Sequence, residues 1–264
     1  MTATVTGERA TTAEGGFNPA WRRHVAAYRE VAQLMPPGRV LDLGCGIGHS
    51  FELLAPRETV GVDIDAAALA GQQRETVLAD MRALPFAAGS FASIISAHSV
   101  EHVADPDRVL AEATRVLEPD GVAVWVTPNR LTFGRPDEII DPYHYIEYDP
   151  VELERLCRRH FTHVTIRGLF GSPRYLELHA AELAQLAKLL ALDPLRLRRA
   201  VPRRVRQFLY DWMLSRWRAD PDPLAEAITT DDFFLADEPI EEAADLIAVC
   251  RGPRGAREQN EANA

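Results

Sequence analysis

Short apolar runs alternate with amphipathic stretches from residue 39 onward, and that alternation sets the fold class. Runs at residues 39–43, 59–63, 76–79, 91–97 and 122–126 are rich in Val, Ile, Leu and Ala and are bounded by Gly, Pro, Asp and Asn. They read as strands, and the run at 91–97, nearly all apolar, as one covered on both faces. The segments between them carry helical spacing at about 47–54, from 65 onward and at 106–117, with Asp65 placed as an N-cap. Strand and helix in alternation predict an α/β, doubly wound, mostly parallel sheet. Ahead of it, Trp21, Val25, Tyr28, Val31 and Leu34 form one apolar helix face that Pro36-Pro37-Gly38 ends. The residues before that helix, 1–16, are small and polar and are expected to be disordered.

In the second half, a long loop at 129–149 precedes a helix at 150–159, a strand at 164–168 and a final strand at 244–250. Two apolar helical patterns, 176–192 and 205–217, fall between those strands. The expected domains are therefore a core of 17–171 and 241–252, a helical insertion at 172–240, and a flexible tail at 253–264. The insertion begins where a strand should meet the ligand rim, so it is expected to cap an acceptor pocket; a dimerisation element is the other reading.

Of the 264 residues, 47% are hydrophobic, an ordinary share, and the net charge of −10 argues against a general nucleic-acid partner. No run of 18 apolar residues predicts a membrane span, and the N-terminus lacks a signal-peptide pattern. Cys45, Cys157 and Cys250 are odd in number and far apart, which fits a reducing, cytoplasmic setting. Arg196, Arg198, Arg199, Arg203, Arg204 and Arg206 make a basic cluster in this acidic chain. It reads either as a phosphate, lipid-linked acceptor or peripheral inner-membrane contact, or as a solvated helix face paired with acids.

The candidate chemistry starts at Val40-Leu41-Asp42-Leu43-Gly44-Cys45-Gly46-Ile47-Gly48-His49-Ser50. A strand runs into a glycine-rich turn with G-x-G-x-G spacing. A dinucleotide loop reads G-x-G-x-x-G, and His49 occupies its third glycine position. Asp63 ends the next strand, about 20 residues past the first glycine, where an acid can receive ribose hydroxyls. A ribose-binding acid beside a loop unsuited to pyrophosphate points to a nucleoside-type cofactor and disfavours an NAD-dependent oxidoreductase. Gly44, Asp63, Asp80, His98 and Thr127 all fall at strand carboxyl ends, the rim at which such sheets bind ligands.

The stretch 40–50 resembles motif I of the class I S-adenosylmethionine-dependent methyltransferases. The resemblance, to the type 11 kind, extends over about 35–130. It is carried by Leu84-Pro85-Phe86, Ser90-Phe91, Val100-Glu101-His102-Val103, Asp105-Pro106, Arg115-Val116-Leu117, Pro119-Asp120-Gly121 and Thr127-Pro128-Asn129. It implies a seven-stranded sheet whose last strand is antiparallel, and S-adenosylmethionine as cofactor. Residue by residue it implies that Gly44 and Gly46, with Asp42 and Cys45 on the same loop, hold the amino-acid part. Asp63 would hold the ribose, Ile64 pack on the adenine, Asp80 with Met81 beside it receive the adenine amino group, and His98 border the sulfonium. Ala92 departs from the family, which usually has Asp there. A second resemblance, of residues 143–147 and 229–234, is to methyltransferases of polysaccharide and glycolipid pathways and implies a saccharide or lipid-linked hydroxyl as acceptor. N- or C-methylation of a small metabolite or quinone, and a non-catalytic cofactor-binding subunit, stay open.

A hydroxyl acceptor must lose its proton, and a histidine suits that task near neutral pH. His144 is the first candidate, with Glu147 to orient it; His98 and His102 are weaker candidates. No Cys-rich or paired-His spacing suggests a metal site, and no G-x-S-x-G suggests a nucleophile elbow.

Overall fold

A computed structural model describes residues 19–135, 137–193, 195–218 and 223–255. The expected disordered segment 1–16 and most of the expected tail lie outside them. Helix α1 (Ala20–Ala32) leads into β1 (Val40–Leu43), α2 (Ser50–Leu54), β2 (Thr59–Asp63), α3 (Ala66–Leu69) and β3 (Glu75–Leu78). β4 (Phe91–Ala97), α4 (Pro106–Val116), β5 (Leu117–Pro128), α5 (Arg130–Phe133), α6 (Pro150–Arg158) and β6 (Phe161–Gly171) follow. The chain then forms α7 (Pro173–Leu190), α8 (Arg203–Arg218), α9 (Pro223–Ala227), β7 (Phe233–Ala236) and β8 (Asp245–Pro253).

The sheet order is β3-β2-β1-β4-β5-β8-β6-β7. The first five strands are parallel, and β8 runs antiparallel between β5 and β6. Alternate residues of one strand feed two cores. Ala123 and Trp125 enter the core that includes Val109, Leu110 and Leu153. Val122, Val124 and Val126 enter the core that includes Ala26, Ala27, Tyr28 and Val31 of α1. Burial on both faces is why these strands lack polar alternation. α4 starts at Asp105, whose carboxylate accepts from Arg108 N, with Pro106 in the first turn. A reciprocal capping box of Asp149 and Glu152 starts α6.

The sheet has eight strands, not the seven expected. β6 runs past residue 168 to Gly171, and its last residues offer an edge to which Phe233–Ala236 pairs antiparallel. Phe233 enters the core while Phe234 stacks on Phe170. Such a short run after a turn carries too little periodicity to be read as a strand.

Between β6 and β7 lie α7, α8 and α9. The basic cluster is largely engaged within the chain. Arg196, Arg198 and Arg199 all pair with the buried Glu138 carboxylate, and Arg196 also pairs with Asp137. Arg203 donates to the carbonyls of Pro142 and Tyr143 and lies 3.7 Å from the centre of the Tyr145 ring. These contacts fasten the start of α8 to the loop that precedes α6.

Candidate functional site

Strand order reverses at β1, flanked by β2 on one side and β4 on the other, so a crevice opens at the carboxyl ends of these strands. A cavity of about 460 Å³ occupies it. Its walls come from α1 (Arg23, His24), the β1 loop (Gly44, Cys45, Gly46, His49) and the end of β2 (Asp63, Ile64). The turn after β4 adds His98, Glu101 and His102, and the segment before α6 adds Asp141, His144 and Tyr145. Tyr210 of α8 reaches it from the insertion.

The β1 loop keeps its path because Gly44, Gly46 and Gly48 sit at φ of 73°, 53° and 81°. A Cβ on Gly44 would lie 2.5 Å from that of Ser99, whereas one on Gly46 would meet nothing within 4 Å. The loop is thus packed tightly at its root and open at its tip. Asp63 fixes that tip: Oδ2 accepts from Gly46 N and Oδ1 from Asp65 N, both at 2.9 Å.

Of the residues expected to meet a cofactor, Gly44, Cys45, Gly46, Asp63, Ile64, Asp80, Met81 and His98 all line the cavity. Asp42 does not. It is wholly buried beneath the loop and accepts from Tyr28 Oη, Ser50 Oγ and Arg74 Nη2. The Asp80 carboxylate is gripped by Arg82, whose hydrogen bond holds it below the usual carboxylate range. Burial pushes the Cys45 thiol up to about 12, so it is an inert neutral group. Ala92 packs against the Gly38 turn and is not part of the cavity lining.

The three histidines expected near the reaction divide into two groups. His98 adopts φ of 50° and places Nε2 3.4 Å from the buried Asp245, which Arg23 also approaches at 3.4 Å. His144 and His102 stand together, ring centres 4.9 Å apart. His144 Nδ1 meets Glu147 Oε1 at 2.9 Å, and Nε2 is 3.9 Å from Asp141. Glu147 is itself buried and away from the cavity lining, so its carboxylate reaches the cavity only by way of its hydrogen bond to His144. Burial depresses the His144 imidazole, but the Glu147 hydrogen bond and the charges of Asp141, Glu101 and Glu147 outweigh it and raise the pKa.

Sequence reasoning missed Arg23, His24, Asp141, Tyr210 and Asp245. Only Asp141 carried a cue, by lying in the long rim loop; the others reach the site from distant elements.

His24 and His49 sit at the α1 wall, ring centres 4.7 Å apart. Burial is the main cause that depresses both imidazoles, His49 to about 4 from the ordinary 6.5. The unfolded chain therefore binds protons that the folded chain refuses as pH falls below 6.5. Stability is full above that value and is lost down to about 4. His49 alone accounts for up to about 3 kcal/mol of that loss. Urea midpoints measured from pH 7 to 4 should fall steeply, and His49→Gln should flatten the slope; equal slopes would refute this assignment.

Comparison with known proteins places these features. The Methyltransferase domain family matches residues 41–125. A protein of Mycobacterium tuberculosis named "Probable S-adenosylmethionine-dependent methyltransferase" is 30% identical, over 95% of this chain and 90% of that one. One of Mycolicibacterium smegmatis with the same description is 31% identical, over 94% and 95% of the two chains. Among solved structures, a Thermotoga maritima S-adenosylmethionine-dependent methyltransferase, titled a possible histamine N-methyltransferase, superposes with a TM-score of 0.57. That match covers 87% of this chain and 91% of the other at 17% identity, and it speaks for the fold alone.

Proposed function

We propose, for a chain that belongs to the S-adenosylmethionine-dependent methyltransferases, that the methyl group goes to a hydroxyl of a saccharide acceptor, carried on a lipid. The observation that supports this acceptor most is the chemistry of the cavity's far end. Glu101, His102, Asp141 and His144 crowd there with Tyr145 and Tyr210. Carboxylates and imidazoles beside aromatic rings suit a polyhydroxyl ring; a quinone would call for an apolar wall. The lipid carrier is favoured by α8, where Val205, Phe208, Leu209 and Trp212 recur at helical spacing and are exposed, Phe208 by 70%.

The residues at the near end fit the cofactor. Gly46 leaves open space at the loop tip, Asp63 offers a carboxylate at the rim, and Ile64 is 71% exposed beside it, an apolar side chain that a flat purine ring would cover. We assign Gly44, Cys45 and Gly46 to the amino-acid part, Asp63 to the ribose, and Ile64, Asp80 and Met81 to the adenine. Asp42 supports the loop from below, through Tyr28, Ser50 and Arg74. When bound, S-adenosylmethionine supplies an electrophilic methyl on a sulfonium. The chain's own contribution is alignment and proton removal. His98 borders the near end of the acceptor space. His144, with Nδ1–H held by the Glu147 carboxylate, presents Nε2 to receive the hydroxyl proton.

Calorimetric titration with S-adenosylhomocysteine tests the reading first. Micromolar binding is expected, weakened about 10- to 100-fold by Asp63→Ala, in keeping with the loss of charge-assisted hydrogen bonds. Folded protein that does not bind would sink it. Methyl transfer to glycolipid acceptors but not to quinones then tests the acceptor.

A further inference from the structure

The far end of the cavity holds an arrangement of lone pairs that hydrogen bonding leaves unexplained. One ligand atom each from Glu101, His102 and His144 lies within 4.8 Å of the other two. The tautomers follow from their partners. His102 Nδ1 stands 3.2 Å from the Tyr143 carbonyl oxygen, which can only accept, so that nitrogen carries the proton. His144 Nδ1 faces the Glu147 carboxylate at 2.9 Å and carries its proton for the same reason. With a ring neutral in this tautomer, Nε2 is the atom that offers a lone pair. Glu101 is 0% exposed; its Oε2 accepts from Thr127, while Oε1 accepts no hydrogen bond and has His98 Nδ1 no closer than 3.8 Å. Two imidazoles and a buried carboxylate thus converge, and the Glu101 Oε1 atom among them has no donor. A buried carboxylate oxygen left that way is costly unless a cation stands beside it.

We propose that Glu101, His102 and His144 bind a divalent first-row transition-metal ion at the acceptor end of the cavity. Two imidazoles and one carboxylate are a donor set such ions accept, with coordination positions left over; magnesium and calcium prefer oxygen ligands. The surroundings are those of a metal site. Each histidine donates its other ring N–H to a fixed acceptor, Glu147 for one and the Tyr143 carbonyl for the other. Asp141, whose Oδ2 receives Tyr210 Oη at 3.1 Å and lies 3.9 Å from His144 Nε2, adds a second negative group.

All three ligands line the cavity, so the remaining positions on the ion face the space proposed for the acceptor. There they would take neighbouring hydroxyl oxygens and acidify one of them. This use of the ion rests on the saccharide reading above; the site itself does not. Ion and proton compete for the His144 Nε2 lone pair, so in the ion-bound protein His144 is a ligand and the base role applies to the ion-free protein.

The test titrates cobalt(II) into the full-length, chelator-treated protein and follows its visible absorption, with zinc(II) as competitor and S-adenosylhomocysteine binding measured alongside. One equivalent of cobalt with nitrogen-and-oxygen-type bands, displaced by zinc, is expected. His102→Ala and Glu101→Gln should each weaken it at least about 100-fold, beyond what loss of an outer-sphere partner costs, while leaving S-adenosylhomocysteine affinity unchanged. His102 has no part in the proton transfer assigned to His144, so its effect belongs to the metal alone. The proposal is overturned if protein that binds S-adenosylhomocysteine takes up no stoichiometric cobalt, or if either variant binds cobalt as the parent does. Failure of S-adenosylhomocysteine to bind would instead count against the methyl-transfer function proposed for the cavity.

Discussion

Arg74→Met is expected to destabilise the protein by about 3–5 kcal/mol, the cost of stranding a buried charge. Arg74 and Asp42 form an ion pair at 2.9 Å with side chains 1% and 0% exposed. Asp42 also accepts from Tyr28 Oη at 2.9 Å and from Ser50 Oγ, which ties together α1, β1 and the first turn of α2. Burial works against the Arg74 charge, but the neighbouring Asp42 outweighs it and raises the pKa, so the guanidinium stays charged. Methionine fills most of the volume and supplies no donor, leaving a buried carboxylate with its two hydroxyl donors but no opposite charge. The double variant Asp42→Asn/Arg74→Met, in which no charge is stranded, should recover part of the loss. Urea denaturation followed by circular dichroism measures both. A loss under about 1 kcal/mol for Arg74→Met would show that water reaches the pair and that the pair is not the keystone of the loop.

His144→Ala is expected to lower kcat by about 10²- to 10⁴-fold, the usual worth of a positioned acid–base group. S-adenosylhomocysteine affinity should not change, because the near and far ends of the cavity are built from different segments. The side chain is 5% exposed and is held from behind by Glu147, so its removal leaves the β1 loop and Asp63 untouched. Single-turnover kinetics with saturating cofactor, paired with calorimetry, separates the two effects. Full turnover in His144→Ala would remove this residue from the chemistry. An equal loss in His102→Ala would point to the metal as the agent of proton loss, since the proton transfer is assigned to His144 and not to His102.

Local pattern was enough for the left half of the sheet. In β1, β2, β4 and β5 the apolar runs are long, the turns after them carry Gly, Pro or Asp, and each strand ends at a residue whose place on the rim follows from counting. The reading lost detail where an element depends on a distant partner. β7 forms because β6 extends to Gly171 and leaves an edge. Arg74 falls in what reads as a plain turn, and only the pairing of β3 beside β2, and of β2 beside β1, brings it under the loop. Gly61 makes room for it, since a Cβ there would lie 3.0 Å from the guanidinium nitrogens. Among the arginines of the insertion, charge alone left two readings open. The buried Glu138, paired with Arg196, Arg198 and Arg199, accounts for three of them within the chain.

By itself the sequence determined the α/β class, the glycine loop with Asp63 and Ile64 beside it, and the family these imply, because each depends on residues close together in the chain or at strand ends. The tertiary structure decided that Asp42 is a buried support, that Glu147 is buried behind His144 and hydrogen-bonded to it, and that Glu101, His102 and His144 converge. Those outcomes turn on which way a side chain faces and on contacts between segments far apart in sequence. A linear pattern of hydrophobicity and spacing carries neither direction nor long-range distance; packing the two cores against one sheet supplies both.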